Sequence, residues 1–131
     1  MERLEHYRES IALLLHDYCW GDSEEADSEV QMICDHDRDH YQLVSLGWQG
    51  HQRFYSVLMH LDIKNGKIWI QRNETDRLIA QELVSMGVLR EDIVLGLQPE
   101  YARSDTGYSL ILALEFDIEA IVKVEYSEFY F

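Results

Sequence analysis

The dipeptide Asn65-Gly66 constrains the fold of this chain more than any other pair of residues in it. A two-residue type I′ turn needs positive φ at both central positions, and Asn-Gly supplies that at little steric cost. The residues before it alternate, with Tyr55, Val57, Met59, Leu61 and Ile63 on one side of a strand and Phe54, Ser56, Leu58, His60 and Asp62 on the other. Pairing Lys64 with Lys67 sets Ile63 opposite Ile68 and Leu61 opposite Ile70 on the buried side. The same register predicts Asp62 opposite Trp69 and His60 opposite Gln71 on the other face. A slip of one residue would exchange the two faces, so the register is strongly specified.

Other elements arrange themselves around this hairpin. Leu4, Tyr7, Ile11, Leu14, Leu15 and Tyr18 recur at helical spacing and predict an amphipathic helix over residues 2–19, ended by the polar run from Gly21 to Ser28. Val30 to Asp35 and Tyr41 to Trp48 read as strands flanking a charged hairpin tip, His36-Asp37-Arg38-Asp39. A second helix is expected to start near Thr75-Asp76, whose acidic first turn suits the helix dipole, and to bury Ile79, Leu83 and Met86. Gly87 fits the left-handed residue past its end, with Val88 folding back on Leu83. Asp92 to Gly96 reads as a short buried segment, Pro99 opens a loop through Arg103 to Gly107, and Tyr108 to Phe131 reads as one or two more strands. The order implies an α+β fold: an antiparallel β-sheet of four or more strands with an N-terminal and a second helix packed on one face. With 131 residues and 47% apolar content, one domain spanning 1–131 can bury its own core.

Charge narrows the function classes. Eleven Lys and Arg against 25 Asp and Glu leave a formal charge of −14. Affinity for a duplex comes largely from Lys and Arg displacing counterions, and the basic residues here are scattered from Arg3 to Lys123, so direct nucleic-acid binding is not expected. A basic partner, or a surface that imitates a nucleic acid inside a partner's DNA channel, suits the charge better; plain solubility is the bland alternative. Cys19 and Cys34 form no CxxC motif, which argues against structural zinc or a disulfide framework and for two reduced thiols in a cytoplasmic protein. No segment approaches the ~20 apolar residues of a membrane span.

Two clusters invite chemistry. The turn Asp35-His36-Asp37-Arg38-Asp39-His40 is rich in metal-ligating side chains, but neighbours on a strand face opposite ways and no HExxH spacing accompanies them. A charged turn with Arg38 bridging its own carboxylates is the favoured reading, with no metal. His60, Asp62, Trp69 and Gln71 share a sheet face, where His and Asp two apart resemble a base and its orienter. Ser56 is the nearest nucleophile, without a nucleophile elbow or oxyanion loop. Core packing ranks first for that face, a partner surface second and catalysis third. The glycines of Gly47-Trp48-Gln49-Gly50 and of Arg103 to Gly107 read as turns and not as phosphate loops.

The run Asp37-Arg38-Asp39-His40-Tyr41-Gln42-Leu43-Val44 closing on Gly47-Trp48, together with Asp62-Ile63-Lys64-Asn65-Gly66-Lys67-Ile68-Trp69-Ile70-Gln71, resembles the XisI family of cyanobacterial fdxN element excision controlling factors. Ala80 with Glu82-Leu83-Val84, and Glu91 to Gly96, match it too. The resemblance covers residues 1–109 and leaves 110–131 as a C-terminal extension, a strand addition or an oligomerisation edge. It implies a non-enzymatic accessory factor, without cofactor or catalytic residues, that acts in excision through a companion, XisH, itself similar to nucleases. The expected partner-binding residues are Arg38, Asp39, His40, Trp48, His60, Asp62, Trp69 and Gln71. The competing reading is a small metal-dependent hydrolase or nuclease built from the 35–40 turn with His60 and Asp62.

Overall fold

The computed structural model describes residues 2–21 and 28–99. Helix α1 (Glu2–Gly21) opens with Glu2 and Glu5 in its first turn, where the helix dipole favours negative charge. Its inward stripe is Tyr7, Ile11, Leu14 and Leu15, all buried, with Leu4 and Tyr18 packed at its margins. The expected helix is therefore present and runs slightly longer. Ser10 also faces inward, and its hydroxyl satisfies itself on the His6 carbonyl at 2.8 Å.

Four antiparallel strands follow: β1 (Ser28–Asp35), β2 (His40–Gln49), β3 (Gln52–Lys64) and β4 (Lys67–Asn73). Side-chain chemistry sets each turn between them. Between β1 and β2 the Asp35 carboxylate accepts the amides of Asp37 and Arg38 at 3.0 Å each, and Asp39 takes a left-handed φ of 59°. Between β2 and β3 the two-residue turn carries positive φ only at its first position, Gly50 (63°), the type II′ pattern. Gly47, Trp48 and Gln49 belong to β2, so the turn expected over 47–50 begins only at Gly50. Between β3 and β4, Asn65 (φ 54°) and Gly66 (φ 76°) form the expected I′ turn.

The predicted register holds near that turn: Lys64 pairs with Lys67, Ile63 with Ile68, Asp62 with Trp69 and Leu61 with Ile70. It then breaks. His60 pairs with Arg72 and not with Gln71, because a β-bulge makes Gln71 an extra residue on β4. A second irregularity, between Leu43 and Val44, leaves Leu58 extra on β3.

Past β4, the expected helix start at Thr75-Asp76 is replaced by a turn. Asn73 Oδ1 accepts both the Thr75 amide (3.0 Å) and its hydroxyl (2.7 Å), while Asn73 Nδ2 donates to the Arg77 carbonyl (2.9 Å). That local network competes successfully with helix, which begins later as α2 (Ile79–Ser85). The end of α2 matches expectation: Gly87 sits at φ 98° and the amide of the buried Val88 returns to the Leu83 carbonyl at 3.0 Å.

The short buried segment predicted at 92–96 proves to be a fifth strand, β5 (Ile93–Val94), running parallel to β4. The sheet order is β1-β2-β3-β4-β5, mostly antiparallel with one parallel edge. Helices α1 and α2 contribute Tyr7, Ile11, Leu14, Leu15, Ile79 and Leu83 to a core shared with Tyr41, Leu43, Met59, Leu61, Ile68, Ile70 and Ile93. Each such aliphatic or aromatic side chain adds about 1.5–3 kcal/mol by burial. Cys19 and Cys34 form no disulfide. The loop expected at 103–107 and the strands expected from Tyr108 onward lie outside the described residues.

Candidate functional site

Alternation along the strands puts one set of side chains on the core and the other on the face turned away from the helices. On that second face β2 offers His40 and Gln42, β3 offers His60 and Asp62, and β4 offers Trp69. Pairing brings them together, since His40 lies directly opposite Asp62, Gln42 opposite His60, and Trp69 opposite Asp62 on the other flank. The bulge at Gln71 returns its amide to the same spot.

Asp62 is the hub. Its Oδ1 accepts from His40 Nδ1 and from His60 Nε2, each at 2.8 Å, and its Oδ2 accepts from Gln71 Nε2 at 3.1 Å. Gln42 Nε2 donates to the remaining nitrogen, His60 Nδ1, at 3.0 Å. The two imidazoles stand nearly perpendicular, 87° between planes with centroids 6.5 Å apart. Exposure is graded across the site: the side chain of Asp62 is 10% accessible, His60 28% and His40 55%. Burial acts to raise the Asp62 pKa, but the hydrogen bonds from His40, His60 and Gln71 outweigh it and hold the carboxyl below its ordinary value.

Neighbouring residues hold the cluster in shape. Lys64 places its ammonium over the Trp69 ring, 4.3 Å from the centroid. Gly96, just past β5, lies against Gln71 and Trp69: a Cβ there would collide with Gln71 Oε1 and sit 3.2 Å from Trp69 Cε3. Glycine there leaves Gln71 in the rotamer that points its amide at Asp62.

The candidates named from sequence thus divide. His40, His60, Asp62, Trp69 and Gln71 form one cluster. Asp39 turns the other way, toward α1, where Arg8 holds it through Nε (2.8 Å) and Nη2 (3.2 Å) and the Tyr41 hydroxyl adds a third bond at 3.0 Å. The Arg8 contact lowers the Asp39 pKa, against the opposing effect of burial. Arg38 is largely exposed and reaches Asp35 only at 3.8 Å, the bridge expected within the turn, at long range. Trp48 lies at the far end of β2, about 26 Å from His40 at the usual strand rise. It is half exposed under the Arg53 guanidinium, 5.3 Å from its ring centroid, beside an exposed Tyr55. Of the 35–40 turn, His40 alone joins His60 and Asp62. Sequence reasoning passed over Gln42, although its place two residues after His40 on the same strand face was available as a signal. It also passed over Gly96 as a packing requirement, for which a single sequence carries no signal.

Residues 1–110 match the family described as XisI protein. The chain belongs to the XisI family. A XisI-like protein from Anabaena variabilis ATCC 29413, solved by crystallography, is 50% identical, with a TM-score of 0.75 over 81% of this chain and 96% of that one. The fdxN element excision controlling factor XisI from the same organism is 32% identical, with a TM-score of 0.69 over 78% of this chain and 93% of that one. No curated protein matches the sequence. The XisI match spans every element from α1 to β5, so the Asp62 cluster lies wholly within it.

Proposed function

We propose that this chain is a non-enzymatic accessory factor that controls excision of a DNA element by binding a companion protein, XisH-like and nuclease-like, in the cytoplasm. The observation that carries the reading is its likeness, at 32% identity over 78% of its length, to the fdxN element excision controlling factor XisI. The net charge of −14 supports a route through a protein and not through direct contact with DNA. Among the described residues no helix is long and apolar enough to cross a membrane.

The docking surface is the sheet face away from the helices. His40, Trp69 and the exposed Trp48 are its contact residues, with Arg38 at its rim. Asp62, His60 and Gln71 orient His40, and Asp39 fixes the turn from behind. Aromatic side chains with partly buried polar neighbours suit the centre of an interface.

Co-expression and co-purification of this chain with a XisH-like protein from the same genome tests the proposal. A complex that survives gel filtration at low salt and loosens as salt rises is expected. Failure to associate at any ionic strength overturns the reading.

A further inference from the structure

The geometry points to a divalent transition-metal site formed by His40 Nδ1, His60 Nε2 and an Asp62 carboxylate oxygen, with the remaining coordination positions open to solvent. This inference is independent of the docking reading. The three donor atoms lie within 4.8 Å of one another. Two of the separations, both 2.8 Å, run to a single oxygen, Asp62 Oδ1. Metal–ligand bonds of about 2.0–2.2 Å place donor atoms roughly 2.9–3.4 Å apart. The two histidine–aspartate separations therefore need only open slightly, while the two imidazole nitrogens, within 4.8 Å of each other, close around the ion by side-chain rotation of the exposed His40.

Three features go beyond three ligating residues being near each other. Two imidazoles converge on one carboxylate oxygen, which is the arrangement that a shared positive centre would reinforce. The outer contacts are of the kind that orient metal ligands: Gln42 sits on the far nitrogen of His60, and Gln71 on the second oxygen of Asp62. With an ion bound, His60 Nδ1 carries the proton and donates to the Gln42 carbonyl oxygen, a half-turn of that amide. Access is the third feature. Asp62 is buried but His40 is more than half exposed, so one side opens to water. Two imidazoles and one carboxylate suit Zn²⁺, Co²⁺ or Fe²⁺ and not Mg²⁺ or Ca²⁺, and three protein ligands leave a place for water.

The test uses the tag-free full chain, titrated separately with Zn²⁺ by calorimetry and with Co²⁺ by visible absorption. The expected result is one ion per chain and a Co²⁺ spectrum of mixed nitrogen and oxygen ligation. His40→Ala and His60→Ala should each weaken binding by at least about tenfold, and Gln42→Ala by less. His51→Ala, in the exposed β2–β3 turn, should bind like the parent. His40→Ala removes a surface side chain and keeps the test decisive if His60→Ala fails to fold. Absence of stoichiometric binding, or binding unchanged in both histidine variants, overturns the inference and leaves a hydrogen-bonded His-Asp-His cluster alone.

Discussion

Arg8 on the first helix and Asp39 in the first hairpin turn meet through two parallel hydrogen bonds, at 2.8 and 3.2 Å. This fork is a polar link between α1 and the β1–β2 turn, and it holds Asp39 in its left-handed conformation (φ 59°). Arg8→Ala and Asp39→Ala are each expected to lower the urea midpoint. Arg8→Lys should restore little, because an ammonium cannot make the bidentate contact. A double-mutant cycle on equilibrium denaturation measures the coupling.

Tyr7 donates to Asp92 at 2.5 Å and ties α1 to the segment just before β5. Tyr7→Phe takes this hydrogen bond from the buried Asp92 oxygen, which keeps Arg3 at 3.5 Å, and removes the acceptor of the Leu89 amide, at a cost of about 1–3 kcal/mol. Burial, and then the Asp92 hydrogen bond, push the Tyr7 pKa from 10.0 up to about 12. The fold therefore favours the neutral phenol. That contribution is complete below pH 10.0 and is lost as pH rises toward 12. Thermal midpoints across this alkaline window should fall less steeply for Tyr7→Phe than for the parent.

Gly96→Ala forces a methyl group into Gln71 and Trp69. A loss of about 1–3 kcal/mol is expected from overpacking, with the larger structural effect at Asp62. Imidazole resonances of His40 and His60 should shift in NMR spectra, whereas those of His51 should not.

Gly66→Ala separates backbone strain from packing. Nothing lies within 4 Å of the added Cβ, so the whole effect comes from φ 76°. Roughly 1 kcal/mol is expected, read from chemical denaturation with an unchanged slope.

Much of the fold was legible in the residues because local signals agreed with one another. Asn65-Gly66 and the alternation of β3 determine a register, the spacing of Tyr7, Ile11, Leu14 and Leu15 determines a helix face, and Gly87 marks a helix end. What escaped was decided by competition or distance. Asn73 captures Thr75 and Arg77 and delays α2, a contest that helix signals alone do not reveal. The bulge at Gln71 moves His60 opposite Arg72, and strand alternation contains no marker of it. The parallel pairing of β5 with β4 joins residues 25 apart through Ile68 and Ile93. At the site, alternation placed His60, Asp62 and Trp69 on one face correctly. Chain order groups His40 with its turn neighbours, whereas cross-strand pairing assigns it to Asp62 and Asp39 turns to Arg8.

The proposed route of action of this acidic XisI-family chain runs through a protein partner. The most direct measurement is the dissociation constant of its complex with a XisH-like protein from the same genome, taken at about 50 mM and about 500 mM salt, with Trp48→Ala alongside. Action through a partner predicts a complex that weakens by at least about tenfold at the higher salt and in the variant. No measurable complex at either salt would contradict it.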